Sequence, residues 1–160
     1  MSPPASTKRF RVALSFPGEH RARVERIAEA LADKLGREKV LYDKWYEAEF
    51  ARPNLSVYLP DLYHDESDLI AIFLCKEYEK DWCGLEWRAC LDLIKGKEYG
   101  RLMLLRFDDA KIPGVYPIDG YLDISMMGDE AVAANILMRL GEGRWNEKAG
   151  LPGGMRYAPG

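Results

Sequence analysis

The chain has 160 residues, 48% hydrophobic and 31% charged, with a formal net charge of -3 at pH 7, the profile of one soluble domain around a single core. No long basic run accompanies that charge, so the electrostatic footprint of direct DNA or RNA binding is missing. No apolar run has the length of a bilayer span and Met1 to Thr7 lacks the apolar segment of a signal peptide, so a cytoplasmic protein off the membrane is expected.

Residues 1–7, polar with two prolines, read as a disordered lead-in. Phe10 to Phe16 is a short run of β-formers broken only by Arg11 and stopped by Pro17 and Gly18, which predicts a strand mostly buried in a sheet. Val24, Ile27, Ala28, Leu31 and Leu35 recur at helical spacing, predicting an amphipathic helix from Glu19 to Leu35 with Gly36 as its C-terminal cap. Val40 to Tyr42 is a second strand. The charged and aromatic stretch Asp43 to Arg52 has no period and reads as a long functional loop, with Glu47 and Glu49 as solvated acids.

Pro53 can start a helix through Leu55, Leu59, Leu62 and Tyr63, with Pro60 expected to kink or divide it. Leu69 to Cys75 is the most apolar stretch of the chain and reads as a central strand buried on both faces. A helix from about Trp82 to Lys95 follows, with Cys83, Trp87, Cys90, Leu91 and Ile94 on its buried stripe. Arg101 to Phe107 is a fourth strand, Asp108 to Asp119 a loop, and Tyr121 to Ile124 a fifth strand at an edge. Asp129 can cap a last helix whose Val132, Ile136, Leu137 and Leu140 face the core, closed by Gly141. Residues 142–160, with five glycines and two prolines, read as a linker or tail, in keeping with the front part of a longer protein.

Strands alternating with helices imply a mainly parallel sheet covered on both faces, with ligands expected at the carboxyl ends of the strands. The loops after Phe16 and Tyr42 and the helix start at Trp82 would all lie on that rim. Trp82 and Glu86, four residues apart, share one helix face. An indole and a carboxylate so placed suit a cationic aromatic ring bonded to a sugar, as in a nicotinamide dinucleotide: the indole can stack and the carboxylate can stabilise developing positive charge. Spacing alone leaves open a second reading, in which Trp82 anchors the helix start in the core and Glu86 is a solvated first-turn acid. The three cysteines, Cys75, Cys83 and Cys90, fit no paired zinc motif and read as reduced, packed thiols. His20 and His64 have no clustered carboxylates around them, so no metal site is expected.

Val12 to Glu19, Tyr42 to Trp45, Ile72 to Leu74 leading through Tyr78 to Asp81–Trp87, and Asp108 through Ile112–Gly114 to Tyr121 together resemble a Toll/interleukin-receptor (TIR) domain of the bacterial branch. The likeness covers about residues 8–141, and its ordered set of motifs is more specific than any one of them. It implies a flavodoxin-like five-stranded α/β fold and hydrolysis of NAD+ as substrate, with no cofactor. It also implies Glu86 as the catalytic carboxylate, Trp82 on the nicotinamide side, and Phe16, Pro17 and Gly18 shaping the pocket, with Asp43, Lys44 and Trp45 on the neighbouring loop. Self-association through TIR–TIR contacts, a fused or partner sensor and a role in antiphage defence follow from the same resemblance. The arginine-aspartate-proline-glycine signature of animal adaptors is absent from residues 43–54, which counts against the other class considered, a non-catalytic interaction module. A receiver or nucleotide-binding domain fits poorly, because Pro17 to His20 offers neither a phosphate-cradling glycine pattern nor paired acids.

Overall fold

A computed structural model describes residues 8–76, 96, 98–108 and 120–141. The lead-in, the expected helix from Trp82 to Lys95, the loop through 109–119 and the tail from 142 lie outside these residues. Five strands form one sheet: β1 (Phe10–Ser15), β2 (Val40–Leu41), β3 (Ser67–Leu74), β4 (Leu102–Arg106) and β5 (Leu122–Asp123), in the order β2-β1-β3-β4-β5. Every pairing is parallel, with Val12 opposite both Val40 and Leu69 and Ile72 opposite Leu104. This is the flavodoxin-like α/β arrangement, and all strands end on one rim.

The centre of the sheet follows from its residues. From Leu69 to Leu74, β3 is buried throughout, as a strand covered on both faces must be. Helix α1 (Arg21–Leu35) turns Val24, Ile27, Ala28 and Leu31 into the core. It ends at Gly36, whose N–H donates to the Ala32 carbonyl at 2.8 Å and whose φ of 95° turns the chain out of the helix. The expected start at Glu19 belongs instead to a separate 3-10 turn, Gly18–His20. The short helix α2 (Glu47–Phe50) precedes α3 (Leu55–Asp65), and α4 (Asp129–Arg139) packs on α1. Right-handed connections place α1 and α3 on opposite faces, because the chain moves outward from β1 to β2 and then back past β1 to β3.

Three further expectations need correction. Residues 43–52, expected as one long loop, instead hold a 3-10 turn, Asp43–Tyr46, that runs into α2, which no apolar period announces. Pro60 does not divide α3, since Ser56, whose carbonyl loses its donor four residues on, is exposed and can be hydrated. Asp129 is the first residue of α4 rather than its cap, which is Gly128. Its carboxylate instead takes Arg23 at 3.0 Å and Arg26 at 2.6 Å, tying α4 to α1. Burial opposes ionisation of Asp129, but these hydrogen bonds outweigh it and hold the carboxyl below its ordinary value.

Candidate functional site

In a sheet of this order the ligand crevice lies where the connections diverge, outside the carboxyl ends of β1 and β3. Phe16, Pro17 and Gly18 leave β1 at that point, with Phe16 half-buried, Pro17 buried and Gly18 exposed. Cys75, buried, and Lys76, exposed, leave β3 beside them. The Gly18–His20 turn reaches across the end of β3, where the His20 ring stacks on Phe107 at 4.0 Å, and Phe107 in turn stacks on Phe73 at 5.7 Å. The chain that continues from Lys76 toward Trp82 and Glu86 therefore starts from the mouth of the crevice. Trp82 and Glu86 themselves, with Cys83 and Cys90, lie outside the described residues.

The second rim loop is built around Tyr42, which ends the β2 run fully buried. Burial pushes its phenol up, and its hydroxyl donates to Glu25 at 3.1 Å while accepting from Arg21 at 3.3 Å. Arg21 also places both terminal nitrogens on the Asp43 carboxylate, at 2.7 and 2.9 Å. Its guanidinium stands 5.0 Å from the Phe16 ring and 5.7 Å from the Tyr42 ring, and those two rings are stacked at 5.8 Å. Phe16 and Asp43, two residues expected at the site from different loops, are thus brought together by a third. Trp45 packs edge-on against Tyr42 at 5.2 Å with the Arg37 guanidinium over its other side at 4.4 Å. Lys44 is exposed, 4.0 Å from Glu25. An open groove of about 390 Å³ runs beside them, lined by Arg21, Asp43, Lys44, Glu47, Phe50 and Ala51.

The same segment is fastened at its far end. Arg9 grips Glu49 with two hydrogen bonds of 2.6 Å, and the Tyr58 hydroxyl donates to the same carboxylate. Arg9 also lies over the Phe10 and Tyr46 rings, and Arg52 over Tyr58 at 3.8 Å. The Arg9 hydrogen bonds hold the Glu49 carboxyl at about 2, against its ordinary 4.5. Glu49 is therefore no solvated acid but the anchor that pins residues 43–52 along the β2 edge, down to the start of β1.

Sequence reasoning missed Arg21 and Glu49. Arg21 carried one signal: a cation in the first turn of α1, which holds no acid, opposes the helix dipole and so suggests a local anion. Glu49 carried none, since its partner is 40 residues away. Among the described residues no three His, Cys, Asp or Glu side chains stand close enough to hold a metal, and no helix is long and apolar enough to cross a membrane.

The chain is 35% identical over 133 residues to the 3' cyclic ADP-D-ribose synthase AaTIR of Aquimarina amphilecti. That match takes in 82% of this chain and 40% of the relative, so the chain spans well under half of the relative's length. A family model described as TIR domain matches residues 12–137, from the second buried residue of β1 to the last turn of α4. With its five parallel strands in the order β2-β1-β3-β4-β5, the chain belongs to the TIR domain family.

Proposed function

We propose that this chain is an NAD+-cleaving TIR domain that breaks the nicotinamide–ribose bond at the rim between β1 and β3. The observation that carries the reading is its likeness, over 82% of its length, to a relative named as a cyclic ADP-ribose synthase. Forming a cyclic ADP-ribose requires an ADP-ribosyl group with a leaving group at the ribose carbon, and NAD+ supplies nicotinamide in that role. The rim loops support the same reading, because Phe16 and Gly18 open at the crevice where a dinucleotide would sit in a sheet of this order.

Nicotinamide departs as a neutral ring from a cationic one, so it needs no proton. One carboxylate then suffices, unlike the two of ordinary glycosidases. Glu86 fills that role, stabilising the charge that moves to the ribose carbon or holding the ribose hydroxyls, and Trp82 supplies the wall for the leaving ring. Attack by water gives ADP-ribose; attack by an internal adenine or ribose atom gives a cyclic product, which the relative's name favours. Self-association through TIR–TIR contacts, control by a fused or partner sensor, and service as an effector of antiphage defence belong to the same reading.

The test is NAD+ consumption with product analysis for the wild type and Glu86→Gln, each dilute and under crowding. Cleavage that grows with association and vanishes in a folded Glu86→Gln protein is the expected result. Undiminished turnover in that variant removes Glu86 from the chemistry, and a folded wild type that is inert in every state favours the interaction module.

A further inference from the structure

The geometry points to Arg21 as the positioning residue that couples the two loops of the substrate pocket, an inference that rests on the chain's reading as an NAD+-cleaving enzyme. Phe16 follows β1 and Asp43 follows β2, and no covalent feature fixes one against the other. Arg21, the first residue of α1, touches both: its fork is bidentate on Asp43 at 2.7 and 2.9 Å, its central carbon lies 5.0 Å from the centre of the Phe16 ring, and it also donates to the Tyr42 hydroxyl. A bidentate guanidinium fixes direction as well as distance, because its nitrogens are rigidly coplanar. A lysine ammonium supplies the charge without the fork.

The position of the pair decides what it can do. Arg21 and Asp43 are exposed to 39% and 42%, a setting in which an ion pair adds little to global stability. They also line the open groove beside the crevice rather than the core. Asp43 is thus held by Arg21 rather than presented alone to a ligand, and the pair sets where the Phe16 and Asp43 loops stand. Glu86 follows β3 in the sequence and belongs to neither of the two loops that Arg21 joins. Arg21 therefore acts on how the substrate is held, through loops that do not carry the proposed bond-breaking carboxylate.

Arg21→Ala, Arg21→Lys, Asp43→Asn and the double variant Arg21→Ala with Asp43→Ala test this, with kcat and KM for NAD+ measured alongside thermal midpoints. NAD+ binding is titrated in the Glu86→Gln background. KM should rise about tenfold in Arg21→Ala with kcat within about threefold, since ground-state positioning is what is lost. Arg21→Lys should rescue less than half of the effect on a logarithmic scale. The double variant should be no worse than Arg21→Ala, because the pair acts as one unit. Binding in the Glu86→Gln background should weaken by the same factor as KM rises. Unchanged KM and binding in Arg21→Ala and Asp43→Asn overturn the inference, as does full rescue by lysine. So does a fall in kcat and thermal midpoint together at constant KM, the mark of a merely structural residue. A wild type that neither binds nor cleaves NAD+ overturns the enzyme reading with it, whereas a cleaving wild type indifferent to Arg21 overturns this inference alone.

Discussion

Strand β3 and the segment 43–52 lie a few strand-widths apart and are held by opposite means. From Leu69 to Leu74, β3 is sealed among apolar neighbours and needs no directional contact beyond its backbone ladder. In 43–52 no residue is buried, and the segment keeps its place through two charged fasteners, Arg21 on Asp43 at the rim and Arg9 on Glu49 at the base. Apolar burial does not respond to pH or modest salt, whereas ion pairs respond to both. The scaffold of the crevice is thereby insulated from solution conditions, and the wall beside it is not.

The sharpest way to break this contrast is to injure the scaffold. Phe73→Ala empties a fully buried site beneath Phe107 and should cost about 3–5 kcal/mol in urea unfolding, a value set by lost transfer energy and the cavity left behind. A loss near 1 kcal/mol would mean the core relaxes around the gap and is less rigid than its burial implies.

Next comes the base fastener. Glu49 titrates at about 2 in the folded chain against an ordinary 4.5, so the folded state binds fewer protons between those values. The resulting stabilisation is complete above about pH 4.5 and disappears as the pH falls toward 2. With Arg9 partly exposed, about 1–2 kcal/mol is expected. Glu49→Gln should lose that amount at neutral pH, and its stability should fall less steeply on acidification than that of the wild type. Parallel acid profiles would show that the pair adds nothing to holding the segment. At the small end, Met126→Ser, at the most exposed apolar side chain described, should leave monomer stability within about 0.5 kcal/mol. A larger change would reveal packing that the exposed position conceals.

The same contrast explains what could be read from the sequence. A run such as Leu69 to Cys75 announces itself because burial on both faces demands unbroken apolarity, and the strand runs from Ser67 to Leu74, within two residues of that expectation. The alternation of elements carries the parallel pairing and the covering of both faces, while the flavodoxin-like arrangement follows from the family resemblance. Segment 43–52 has no period to detect, because it is held by partners 22 and 40 residues away in the sequence. Phe16, Pro17, Gly18, Asp43, Lys44 and Trp45 could be placed on the rim from the loop positions alone. That Asp43 is clasped by Arg21 could not, since nothing local distinguishes a clasped carboxylate from a solvated one.

The two outer strands, β2 and β5, are only two residues long. Among the described residues an incoming strand would find no continuous row of amide and carbonyl groups along either margin, and short outer strands are a recognised guard against sheet-to-sheet accretion. The described margins thus steer any meeting of two copies toward contacts between side-chain surfaces and away from a shared sheet.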